Sequence, residues 1–258
     1  MKKAKETNQK KSNFMEWNNN VLISSIKKIN LNIFPIVFLD ALFYFLSGYA
    51  VMFWVQRVQS KMASFYMTKN LLALAPEAAK QLAGDVKEFY FLIIISIILL
   101  LIAIIFLASI LKGIIWAKTT ATKISLRLIS GFFIVNLAWM GFWIAIVFLT
   151  AYLAEPAYAP NLMAAFIIMG AYFTGILCTI FMKERRFRSI LHAVRLGASK
   201  FRLFLLPYAA ILLLLYVLIR LGNFLKFKYS FILLGIVLLF YAAIIRYYVS
   251  ELAAEAAK

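Results

Sequence analysis

Between Phe89 and Leu111 the chain reads FYFLIIISIILLLIAIIFLASIL, an unbroken apolar run without a charge. A helix needs about 20 predominantly apolar residues to cross a hydrocarbon layer roughly 30 Å thick, so this run spans a membrane as a helix. Five further runs fit the same reading, at 33–55, 128–153, 162–182, 203–219 and 229–245. The last two are 17 residues each, at the lower end of the spanning range, and Tyr, Phe and Arg flank them as interface anchors do. Solid blocks of Leu, Ile and Phe exclude a transmembrane barrel, whose strands alternate over about ten residues. Backbone groups in lipid must be satisfied within each segment, which leaves an all-α, polytopic membrane helical bundle with six spans. Composition agrees: 65% of the 258 residues are hydrophobic and only 10 are acidic, too little polar surface for a water-soluble chain.

The 28 basic residues orient the bundle. Seven lie in 1–32, four in 112–127, seven in 183–202 and two in 246–258; the opposite loops hold five in 56–88, none in 154–161 and three in 220–228. The positive-inside rule then places a multi-pass protein in the cell membrane with both termini cytoplasmic. The net charge of +18 is divided among short loops, not gathered on a soluble module, so no nucleic acid partner is expected. Anionic lipid headgroups are the expected partners of these loops.

Residues 1–20 are polar and basic and read as a disordered lead, and 21–258 form a single six-helix membrane domain. No cleavable signal peptide is expected, because the first apolar run is 23 residues long and begins beyond residue 30. The tail SELAAEAAK is a good helix former that either prolongs the last span or is a non-native addition. Three basic stretches precede pairs of spans, VLISSIKKINLN from 21, KTTATKISLRLIS from 118 and RSILHAVRLGASKFR from 188, which predicts three helical hairpins with interfacial lead-in helices. In the first, Leu22, Ile26 and Ile29 form the apolar stripe beside Lys27 and Lys28. The outer segment 56–88 reads as a helical hairpin, with Pro76 starting a helix that runs into the second span.

Polar residues within spans are the usual pointer to function. Asp40 is the one acidic residue inside the six runs, and Arg246 and Lys112 are its best-placed counter-charges. It reads either as a proton- or cation-coupling carboxylate or as a structural ion pair. Asn136 shares a helical face with Met140 and Trp143, with Trp139 at its edge, which reads as tight packing or as a lipid-like ligand pocket. Ala171 and Gly175 form a small-xxx-small pair with Gly170 alongside, a helix-packing signal. Pro35 and Pro207 read as entry-turn prolines. One cysteine (Cys178) and one histidine (His192) offer no disulfide framework, metal site or cofactor site. Acids scattered along the chain do not converge on a catalytic pair, so an enzyme is not expected.

The string LHAVRLGASKFRLFLLP, with Ala193, Gly197, Leu206 and Pro207, resembles the EAA loop of ATP-driven importer permeases. The likeness covers residues 191–207, and Leu191 and His192 stand where that family has its glutamate and first alanine. It implies a short helix that docks on an ATPase subunit, with Arg185, Arg186, Arg188, Gly197 and Pro207 in the partner loop. The whole layout is also similar to poorly characterised multi-pass membrane proteins. The expected function is a non-enzymatic structural or accessory component engaging lipid and other membrane proteins; the alternative is a transporter or permease subunit.

Overall fold

A computed structural model describes residues 2–66, 76–224 and 229–258. Among these residues there are eight helices and no strand: α1 (Lys2–Lys28), α2 (Ile33–Tyr66), α3 (Pro76–Thr119), α4 (Leu126–Leu153), α5 (Ala159–Glu184), α6 (Ser189–Ser199), α7 (Phe201–Phe224) and α8 (Ser230–Ala256). Six of them, α2 to α5, α7 and α8, are long and apolar enough to cross a membrane, so the chain is a multi-pass integral membrane protein.

The helices outrun the expected spans. The two shortest expected runs lie in α7 and α8, which reach 24 and 27 residues. Hydropathy marks only the lipid-facing stretch, while intrahelical hydrogen bonds continue into polar sequence as long as no breaker intervenes. The tail illustrates this. Val249, Ser250, Glu251, Leu252, Ala253 and Ala256 are buried on α8, so SELAAEA is an integral part of the packed chain. At the other end α1 begins at Lys2, upstream of the start expected near residue 21.

Two compact units divide the chain, residues 42–108 and the remainder. Within the first, α2 and α3 form the expected hairpin: Trp54 Nε1 donates to Ser96 Oγ at 3.0 Å, and Ser96 donates to the Ile93 carbonyl at 2.8 Å. The middle of the outer segment, 67–75, lies outside the described residues, as does 225–228 between the last two spans.

In the second unit α5 is the central helix, packing on α4, α6 and α8. About two turns near its end, from Ile176 to Met182, are buried throughout. α1 lies along the end of α8, with Val21 and Ser25 buried, while Leu22 and Ile26 face outward. The expected lead-in helix after residue 118 does not form. α3 ends in a turn with Ala121 in the left-handed region (φ 52°), closed by Thr122 N–H donating to the Ala117 carbonyl at 2.7 Å. β-branched threonines whose hydroxyls bond locally, Thr120 to Thr122 at 2.8 Å among them, favour this turn over a helix. Ser125 then caps α4, accepting from Leu128 N–H at 3.2 Å. The second pair of spans, α4 and α5, still packs as a hairpin, without a lead-in helix before it.

Pro207 is also placed differently. It is the seventh residue of α7, beyond the entry turn, where its missing N–H removes a bond from the Leu203 carbonyl. Pro35, third in α2, sits in the first turn as expected.

Candidate functional site

Asp40 is fully buried, one turn after Ile36 on α2. A carboxylate taken out of water at this depth needs cations close by. Two are supplied. Lys112 of α3 pairs with Oδ1 through its Nζ, and Arg246 of α8 pairs with Oδ2 through Nη1 and with Oδ1 through Nη2 at 3.0 Å. The guanidinium thus grips both carboxylate oxygens, the fork geometry that suits arginine better than lysine. Both counter-charges are the ones the sequence singled out.

Apolar residues pack together beside the cluster, while the side chains of Lys112 and Arg246 keep 19% and 13% of their surface exposed. Ile36 and Ile115 are fully buried there, one turn from Asp40 and Lys112, and Tyr247 follows Arg246 at 3% exposure. Cys178 of α5 is buried. Formally the cluster carries one positive charge in excess. Its oxygens are occupied, so its chemistry in this arrangement is charge neutralisation across three helices.

The Asn136 face serves packing. Asn136 Nδ2 donates to Ser109 of α3 at 3.1 Å, and Trp139 Nε1 donates to Thr174 of α5 at 2.8 Å. Trp139, Phe142, Trp143 and Phe173 form an aromatic cluster with centroids 5.4–6.5 Å apart, edge to face except for Trp139 and Phe142, which stack. Trp143 Nε1 is buried with no acceptor among the described residues. Met140, expected on the same face, is exposed.

The small residues of α5 do not act as one seam. Ala171 is exposed, whereas Gly170 lies against the Trp143 ring and Gly175 against Val249 and the Tyr208 hydroxyl, where an added Cβ would come within 3.1, 2.8 and 3.0 Å. A single-helix pattern predicts one partner; here two glycines face two different neighbours.

The loop between α5 and α7 holds the permease-like string. Arg185 terminates α5 in the left-handed region (φ 54°), and Arg185, Arg186 and Arg188 are exposed. α6 buries Ala193, Leu196 and Gly197 and turns Leu191, His192, Val194 and Arg195 outward. Gly197 seats this helix on α5: its carbonyl accepts from Tyr172 Oη at 2.8 Å, and an added Cβ would lie 2.7 Å from the Phe173 ring. His192 Nδ1 is 2.5 Å from Glu184 Oε1, bracing α6 against the end of α5.

Glu251 was missed. It is 6% exposed, accepts from Ser24 Oγ at 2.9 Å and pairs with Lys28, tying α1 to α8. A helix-forming acid in a tail carries no local mark of this; only the juxtaposition of residues more than 220 positions apart creates it.

Comparison of the chain with protein-family models, curated proteins and solved structures finds no match.

Proposed function

We propose that this integral membrane protein is a structural or accessory component, without catalytic activity, that engages lipid and other membrane proteins. The orientation that goes with this reading puts both termini and the basic loops in the cytoplasm of a cell-membrane protein. The observation that carries it is the closed state of Asp40. A coupling carboxylate must exchange a proton or cation with a wet path, whereas Asp40 has no exposed surface and two cations on its oxygens. Proteoliposomes loaded with pH- and potassium-sensitive dyes should leak no faster than protein-free vesicles. A flux that disappears when Asp40, Lys112 and Arg246 are replaced together in a still-folded protein would overturn the reading.

One observation favours a second reading, a permease subunit. α6 presents Leu191 and Val194 with His192 and Arg195 on its outer face, at the place where the resemblance puts an ATPase-docking helix. On that reading a nucleotide-binding subunit co-purifies from native membranes and Leu191→Asp releases it. Purification without such a subunit counts against it.

A further inference from the structure

The connection between α1 and α2, the turn after α3, and the last turns of α5 and α8 line a half-open cavity of about 540 Å³. Lys27, Lys28, Lys118 and Lys183 line it, and the polar groups between them come from Asn30, Asn32, Thr120 and Thr122. The one carboxylate in the lining, Glu251, is already bound by Ser24 and Lys28. Lys27, Lys118 and Lys183 have no carboxylate partner among the described residues. Asn30 Oδ1 accepts from Asn32 N–H at 2.9 Å, which holds the connection in a tight turn and leaves the Asn30 amide nitrogen as a donor.

The simplest account of these lysines is that each sits in the last turn of α1, α3 or α5 and complements a helix dipole. Magnitudes argue that this is incomplete. The C-terminal turns of α1, α3, α5 and α8 offer about half a negative charge each, about two in all, while the four lysines less Glu251 leave a net three positive charges around the cavity. Tyr247 lines the cavity and also packs with Ile36 and Ile115, the residues one turn from Asp40 and Lys112. A cavity of this size is in the range of small-ligand sites and holds a charged group together with its ester substituent.

We propose that this cavity is a binding site for a phosphate ester, held by charge-assisted hydrogen bonds from Lys27, Lys118 and Lys183 and by the Asn30 and Thr122 side chains. This rests on the lipid-engaging reading above and deepens it. The cavity lies at the ends of membrane-crossing helices, the depth at which phospholipid headgroups sit, which makes the headgroup of an anionic phospholipid the natural source of that phosphate. A free phosphate ester from solution would present the same chemistry.

Native mass spectrometry of the full-length protein in detergent separates these cases, with short-chain phosphatidylglycerol, short-chain phosphatidylcholine and inorganic phosphate as probes. One phosphatidylglycerol per chain should be retained in preference to phosphatidylcholine. Lys118→Gln with Lys183→Gln should weaken retention about thirtyfold, at roughly fivefold per lysine near a membrane surface. Lys123→Gln, an exposed charge outside the lining, should leave retention unchanged. Displacement of the bound lipid by millimolar inorganic phosphate assigns the site to a soluble ester, and persistence assigns it to the headgroup. Equal weakening by Lys123→Gln, or none by the double variant, overturns the site and leaves general lipid attraction standing. No retention of phosphatidylglycerol by the unmodified protein brings down both. Melting temperatures of the variants, expected to match the parent, show that each is folded.

Discussion

A buried carboxylate between two cations is costly to assemble and costlier to break. Removing one partner of a buried ion pair exposes the others to uncompensated burial, typically about 3–5 kcal/mol. Asp40→Asn keeps the shape of the side chain but leaves Lys112 and Arg246 facing each other in an apolar surround. It should lower the detergent melting temperature by many degrees, whereas Asp40→Asn combined with Lys112→Met and Arg246→Met should recover most of the loss. Equal stability of the single variant and the parent would mean that Asp40 is not the counter-ion of this cluster. Asp40 and both of its partners were legible from the sequence, because a lone acid in an apolar run demands a cation and few lie at its depth. The residue-level surprises are the ones whose partners are distant in sequence: Glu251 with Lys28, Asn136 with Ser109, Trp139 with Thr174.

Among the elements, α6 shows how one sequence string admits two explanations. The glycine in LHAVRLGASK matches a permease-like position, and in the structure the same glycine lets α6 close on α5. Gly197→Ala must push a methyl into the Phe173 ring 2.7 Å away, so it should cost about 1–3 kcal/mol through overpacking. Gly141→Ala has open space around it and should stabilise α4 by about 0.5–1 kcal/mol through backbone entropy. Thermal melting of both variants checks the contrast, and a Gly197→Ala protein as stable as the parent would show that the two helices part freely. The turn after α3 was hidden for a related reason. Apolar residues at helical spacing in KTTATKISLRLIS predict a helix, but threonine hydroxyls and a left-handed Ala121 close the chain locally before Ser125 restarts it.

At the scale of the molecule, six crossings put the two termini on the same side of the membrane. On the orientation proposed above, that side is the cytoplasm. Cysteine labelling tests this directly, since the single native Cys178 is buried. In a Cys178→Ala background, Glu155→Cys should react with a membrane-impermeant maleimide in intact cells and Lys123→Cys only after lysis. The reverse pattern would invert the bundle.

The apolar run lengths by themselves determined that this chain crosses a membrane as helices, how often it does so, and which loops are basic. These properties follow from local composition, because a bilayer acts on each segment separately. Tertiary structure alone decided that the C-terminal tail is buried, that two glycines of α5 face different helices, and that lysines from three helix ends converge on one cavity. Each of these depends on rotation and depth of one helix against another, which side-chain packing sets and hydropathy does not encode. The spans seen first in the sequence thus become helices that clamp Asp40 between Lys112 and Arg246 and gather lysines around one cavity.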